Sequence, residues 1–321
     1  MDEASFRFVE QAVSGKFVST PITGDASLRK YYRISFPDTS YVLCIDRGEN
    51  CSISSFLEVQ KIFFKSGVPV PRVIAEDDRA GLMLLEDLGD THVESFICGK
   101  PQGEITSLYQ KLVDIIVAVQ LTDVKGSVVE RRSFNKAKLI FEFNFFIEHC
   151  LLGYLKSSIS EDSLACIRAG FEEIAEAMQI PSMFVPTHRD YHSRNILINS
   201  EGPVVIDFQD AMLGLPQYDF VSLIEDPYVN LSSDVRRRLK TYCFQKEHEV
   251  DGISEADFDR LYALCAYQRL IKAMGTYGFQ ITCRNNTGFI PSIHAAAAAI
   301  EHVANLTPET AASRETLGTL L

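Results

Sequence analysis

The segment richest in chemistry is Thr187-His188-Arg189-Asp190-Tyr191-His192-Ser193-Arg194-Asn195, followed by Asp207-Phe208-Gln209-Asp210. A carboxylate at Asp190 can accept a hydroxyl proton, and Asn195 and Asp207 can offer oxygen to a hard cation such as magnesium. Singly, each residue is ordinary, since an Asp ahead of a strand is usually a turn residue. Their spacing makes them more than that. Asp190 and Asn195 project from one tight loop, and the chain then runs through Ile196-Leu197-Ile198, Asn199-Ser200-Glu201-Gly202-Pro203 and Val204-Val205-Ile206. Two apolar runs around a turn-forming stretch predict a β-hairpin with a five-residue loop, which returns Asp207 to the same cation. His188 is expected to brace the loop by hydrogen bonding and not to carry a proton.

Other elements must position this loop. Residues 29–36 are aromatic-rich and end at Pro37-Asp38, a turn signal; residues 41–46 form a second strand, and Leu82-Met83-Leu84-Leu85 a third apolar run. One helix interrupts them. Ser55 and Glu58 fit a capping box, Phe56, Val59, Ile62 and Phe63 share a face, and Gly67, Pro69 and Pro71 end it. The remainder reads as helices over 105–121, 139–155, 162–178, from about 221 onward, and 255–274. The alanine run 295–299 is helical by propensity, and the tail after Pro308 is expected to be poorly ordered. The expected fold class is α+β and bilobal: residues 1–88 form a small antiparallel-sheet lobe and residues 89–321 a mainly helical one.

Composition excludes several classes. The 321 residues are 46% hydrophobic and carry a net charge of −12, so there is material for a core but no excess of Lys and Arg to neutralise nucleic acid. The eight cysteines, at 44, 51, 98, 150, 166, 243, 265 and 283, form no C-x-x-C pair and no zinc spacing; they read as thiols of a reducing cytosol. The start Met1-Asp2-Glu3 lacks a basic and apolar leader. No apolar run approaches the roughly 18 residues of a membrane span. A cytoplasmic monomer with a small-molecule partner is expected, with no nucleic acid and no membrane.

His-Arg-Asp with Asn195 five residues after Asp190, and Asp207-Phe208 beyond a hairpin, resembles the catalytic loop and metal-binding Asp of protein kinases. Further pieces make the chain similar to the aminoglycoside phosphotransferase superfamily along nearly its whole length. Residues 24–33 resemble the nucleotide-phosphate loop, Gly67-Val68-Pro69-Val70-Pro71 the link after the first helix, and Glu86-Asp87-Leu88 the hinge whose backbone meets adenine. Gly214-Leu215-Pro216-Gln217-Tyr218-Asp219-Phe220 resembles the segment that supports the catalytic loop. Within the superfamily the finer resemblance is to bacterial anomeric N-acetylmuramate/N-acetylglucosamine kinases of cell-wall sugar recycling. It is carried by Asp25-Ala26-Ser27 with Arg29 and Tyr32, Glu86 to Asp90, Asp207 to Ala211, and Gln268-Arg269-Leu270-Ile271-Lys272.

The resemblance implies ATP and Mg2+ as cofactors, Asp190 as base, and Asn195 and Asp207 as metal ligands. It implies Ser27 at the phosphates, Glu86, Asp87 and Leu88 at the adenine, and Asp210, Arg269 and Lys272 at an amino-sugar acceptor. Arg269 and Lys272 would pair with an anionic group such as a lactyl carboxylate, or else stand as solvated helix-surface charges. The chain departs from protein kinases in lacking a Lys on the strand that ends Cys44-Ile45-Asp46, so Arg29 or Lys30 is expected to supply the positive charge. Gln209 replaces the Gly of the D-F-G triplet. Two other readings stay open: a kinase for an aminoglycoside or amino alcohol, and a nucleotide-binding pseudokinase scaffold.

Overall fold

The computed structural model describes residues 1–22, 29–47, 53–156, 159–303 and 307–318. It begins with helix α1 (Glu3–Ala12), capped by the Asp2 carboxylate on the Ser5 amide, and continues into five strands and one helix. These are β1 (Val18–Ile22), β2 (Lys30–Ser35), β3 (Ser40–Ile45), α2 (Ile53–Lys65), β4 (Val73–Asp77) and β5 (Leu82–Glu86). The strands form one antiparallel sheet in the order β1-β2-β3-β5-β4.

The run Leu82-Met83-Leu84-Leu85 has no polar alternation because both faces of β5 are covered. Leu82 and Leu84 pack with Leu43, Ile34 and Val9 of α1. Met83 and Leu85 pack with Cys44 and with Phe56, Val59 and Phe63 of α2. The second cluster continues into Val119, Val129, Phe208 and Ala211, so α2 lies directly against the segment that carries Asp207.

The second lobe contains α3 (Val93–Phe96), α4 (Gln102–Gln120), α5 (Lys136–Phe146), α6 (Glu161–Ala177), α7 (Gln217–Ile224), α8 (Ser233–Asp251), α9 (Glu255–Arg284), α10 (Ile290–Val303) and α11 (Pro308–Gly318). Asn135, Ser160, Ser232 and Ser254 cap α5, α6, α8 and α9 through their side-chain oxygens, as short polar side chains do at helix starts. Two antiparallel pairs accompany these helices: β6 (Val185–Thr187) with β9 (Met212–Gly214), and β7 (Ile196–Asn199) with β8 (Gly202–Val205). The backbone of α5 runs on as a π-helix over Ile147–Tyr154 and packs on α9 at Gly275 and Gly278. A Cβ at Gly278 would lie 2.5 Å from the His149 carbonyl oxygen, so only glycine permits this approach.

Three expectations are corrected here. The capping box does not form: Ser55 lies inside the first turn of α2 and donates to the Gln209 carbonyl, while Glu58 accepts from the Val128 amide. The β7–β8 connection is tighter than five residues, because Asn199 Oδ1 accepts from the Glu201 and Gly202 amides and closes the turn over Ser200-Glu201. The tail is ordered as α11, which seats Ser313 against α6 where a Cβ at Gly170 would come within 2.7 Å of it.

Candidate active site

The catalytic-type loop leaves β6 in an unusual conformation. Arg189 has φ +80°, a left-handed backbone that costs a residue with a Cβ. Asp219, fully buried in the first turn of α7, holds it there by accepting the His188 amide at 2.6 Å and the Arg189 amide at 3.0 Å. The Arg189 side chain is fixed as well, donating to Glu142 of α5 at 3.0 Å, and Glu142 also receives Gln268 at 2.8 Å. His188 is consumed in bracing: its Nε2 meets the Ile206 carbonyl at 2.9 Å, and its Nδ1 accepts the Asp190 amide at 3.3 Å.

The outcome is a presented carboxylate at Asp190. Lys272 donates to its Oδ1 at 2.6 Å, and the Arg269 guanidinium stands 3.8 Å from the same oxygen. Burial alone would push this carboxyl up, but Lys272, Arg189 and Arg269 outweigh burial and hold it well below the usual carboxylate range. Burial lowers the Lys272 ammonium. Arg269 and Lys272 are thus side chains of the site and not solvated charges on α9: only 8% and 13% of their side-chain surfaces are exposed. Beside them, burial pushes His192 down to about 3, so its ring is neutral.

Asp207 ends the β8 return in a second left-handed residue, φ +64°, with 48% of its side chain exposed. Asn195 Nδ2 donates to the Asp190 carbonyl at 3.0 Å and lies 3.5 Å from Asp207 Oδ2. Gln209 Nε2 donates to Asp207 Oδ1 at 3.0 Å and to Asp210 Oδ2 at 3.3 Å. An exposed carboxylate beside an amide suits magnesium, which takes one or two protein oxygens and completes its shell with phosphate oxygens and water. Asp210 also lies near enough to Arg189 to favour its charged form.

Arg29 and Lys30 part company in the fold. The Arg29 guanidinium pairs with Asp46 at 3.2 Å and stands 4.0 Å from Asp207 Oδ1. Lys30 is exposed and, by strand alternation, shares the face of Ile34 under α1, so the structure does not bring it to the site. Ser27 lies outside the described residues. At the hinge, Glu86 pairs with Arg72 at 2.8 Å, and Asp87 is held by Arg33 and Ser40, both at 2.7 Å. Burial would raise the Asp87 carboxyl, but these partners and the Gly89 amide keep it low. Both side chains face away into arginines, and Leu88 packs with Leu197 and Val204 as an apolar floor.

Sequence reasoning passed over Glu142, although a lone carboxylate in Phe141-Glu142-Phe143 was a signal, and over the Asp46–Arg29 pair. Asp219 was legible only as part of a supporting segment.

Comparison with known proteins supplies the family. The model of the phosphotransferase enzyme family matches residues 18–253. The N-acetylmuramate/N-acetylglucosamine kinase of Pseudomonas aeruginosa is 30% identical over 263 residues, covering 80% of this chain and 75% of its own. The protein of the same name from Neisseria meningitidis serogroup B is 27% identical over 81% of this chain and 78% of its own. Among solved structures, the ADP-bound aminoglycoside phosphotransferase APH(2'')-Ib superposes with a TM-score of 0.63 at 13% identity, over 94% of this chain and 99% of its own. The chain belongs to the phosphotransferase enzyme family and is a small-molecule kinase of bilobal, kinase-like fold.

Proposed function

We propose that this kinase transfers the γ-phosphoryl group of ATP to the anomeric C1 hydroxyl of N-acetylmuramate or N-acetylglucosamine. The observation that carries the reading is the cation-flanked Asp190 on its braced loop. Lys272 and Arg269 both engage Oδ1, which leaves Oδ2 to meet an acceptor hydroxyl. A carboxylate held so low is a weak base, and it suits an anomeric hydroxyl, which is more acidic than an ordinary alcohol. A loose phosphoryl-transfer transition state asks little of the base, because the oxygen can attack before its proton has left. The C1 oxygen bonds to the γ-phosphorus, the bond to the β-phosphate oxygen breaks to release ADP, and the proton of the C1 hydroxyl passes to Asp190.

In this reading residues 1–88 are the nucleotide-binding lobe and residues 89–321 the catalytic and acceptor-binding lobe. The adenine lies on Leu88, Leu197 and Val204 against the backbone of residues 86–88. Magnesium, held by Asn195 and Asp207, would neutralise charge on the phosphates. Arg29, the residue before β2, adds positive charge at the same corner. Lys272 and Arg269 favour an acceptor with an anion of its own, such as the lactyl carboxylate of N-acetylmuramate. The same cations, with Arg189, disfavour the amino groups of an aminoglycoside or amino alcohol.

The test is to incubate enzyme, ATP and magnesium with N-acetylmuramate, N-acetylglucosamine and their 1-O-methyl glycosides, with choline and an aminoglycoside alongside. The free sugars should be consumed and the blocked ones should not. Phosphorylation of the methyl glycosides would move the reaction to another hydroxyl, and turnover of the amines alone would replace the sugar reading.

A further inference from the structure

In the protein-kinase pattern a strand Lys pairs with a Glu of the following helix and so registers that helix against the phosphate site. Here the corresponding groups are otherwise engaged. Asp46, the residue after β3, pairs with Arg29, and Glu58 of α2 accepts the Val128 amide at 2.8 Å. A different contact joins α2 to the Asp207 segment. Ser55 of α2 donates to the Gln209 carbonyl at 2.8 Å, and Arg132, from the second lobe, donates to the same carbonyl at 2.8 Å and to the Ser55 hydroxyl at 3.1 Å. Arg132 is itself anchored, its carbonyl accepting the Leu213 amide at 2.9 Å. One residue earlier, Phe208 is buried against Phe56 and Phe63 at ring distances of 4.6 and 5.9 Å.

With its carbonyl held from both lobes, Gln209 presents its amide to Asp207 and Asp210. Asp207 needs such support, because a left-handed non-glycine residue persists only where its surroundings over-determine it. We propose that Arg132 is a positioning residue: with Ser55 it clamps Gln209, and Gln209 aims Asp207, in place of the strand-lysine ion pair. The proposal rests on the reading of Asp207 as the cation ligand, but its first consequence does not require a cation.

That consequence is measured by amide hydrogen exchange of the unliganded enzyme. In Arg132→Ala the amides of residues 207–211 should exchange roughly tenfold faster or more, as expected on losing a charge-assisted hydrogen bond, while the protection of α9 stays unchanged. Kinetically, the magnesium concentration for half-maximal turnover should rise by about tenfold, with the acceptor KM within about twofold; Arg132→Lys, which keeps one donor, should fall between. Direct Mn2+ titration followed by electron paramagnetic resonance gives the same comparison without turnover. Unchanged exchange at 207–211 in Arg132→Ala would overturn the proposal, as would faster exchange spread evenly over both lobes. Faster exchange with unaltered cation affinity, in this variant and in Asp207→Ala alike, would instead remove the metal assignment of Asp207. If Arg132→Ala does not fold, Ser55→Ala, which deletes one hydroxyl of the clamp, carries the same measurements with a smaller expected shift.

Discussion

Asp190 and Asp207 lie at two corners of one site and are kept in opposite ways. Asp190 is pressed by Lys272 at 2.6 Å and Arg269 at 3.8 Å on a loop held by the buried Asp219. Asp207 is nearly half exposed and its nearest donors are the neutral amides of Gln209 and Asn195, with the Arg29 guanidinium 4.0 Å away. One corner is charge-compensated by the protein before any ligand arrives. At the other, the exposed Asp207 meets two neutral amides and, at longer range, the Arg29 guanidinium, so less of its charge is countered by the protein. Under the proposed function, the contrast separates holding an acceptor hydroxyl, which needs rigid geometry, from binding metal–nucleotide, which needs available negative charge.

The largest effect should come from the less compensated corner. Asp207→Ala removes the carboxylate proposed to hold the cation and should lower magnesium-dependent turnover by roughly 10³-fold or more, measured as ADP released at saturating sugar. Asp190→Asn keeps the shape but not the proposed base, and should cost roughly 10²- to 10⁴-fold in kcat while nucleotide affinity, read by fluorescence titration, stays near wild type. Near-normal kcat in that variant would dissolve the distinction between the corners. The cations of Asp190 can be probed by pH. With its carboxyl held low, Asp190 stays ionised through the mildly acidic range, so the acidic limb of kcat should fall below the usual carboxylate pKa. Lys272→Met removes the strongest opposition to burial and should shift that limb upward.

A smaller effect divides two adjacent residues. Arg29→Ala should raise the KM for ATP roughly tenfold, since the guanidinium stands beside Asp207. Lys30→Ala should change it by no more than about twofold, because Lys30 is exposed on the other face of β2. Equal losses in the two variants would mean that the positive charge acts as a general field and not from a placed side chain.

Arg29 and Lys30 also show where sequence reading runs out. Their order in the chain made them equivalent candidates; only the strand pleat and the pairing Tyr31↔Cys44 decide which one faces the site. The loop from Asp190 to Asn195 and the return to Asp207 were legible because their chemistry is local and fixed by spacing. The five-stranded order was not, since β1 carries exposed residues and little periodicity, and α1 shows its purpose only once Val9 meets Leu84. Ser55 and Glu58 formed a plausible local box, yet each found a partner more than sixty residues away, a long-range competitor no local window reveals. Glu142 stood out locally as a lone carboxylate among phenylalanines, but its partner Arg189, 47 residues away, did not.

A third carboxylate, away from the cleft, tests whether cations or burial decide the behaviour of Asp190. Glu247 of α8 is 3% exposed and meets Gln217 of α7 at 2.5 Å, two residues before Asp219. Among the described residues no cation pairs with it, and burial, assisted by Asp251, pushes its carboxyl up to about 8. Burial acts in the same direction on Asp190, so the opposite outcome there is the work of Lys272, Arg189 and Arg269. The linkage follows from the sign. A carboxyl with a raised pKa in the folded state holds its proton where the unfolded chain has released it. Its contribution to stability is therefore complete below the ordinary Glu pKa and is lost as the pH climbs toward about 8. Within that window wild type should lose up to about 1.4 kcal/mol per pH unit from this group. Glu247→Gln removes the titration, so its denaturant midpoint between pH 5 and pH 8 (roughly the window set by the two pKa values) should vary less than that of wild type. Parallel curves for the two proteins would show that the Glu247 carboxyl is already ionised in the fold, and that burial without a cation is not enough to set Glu247 apart from Asp190.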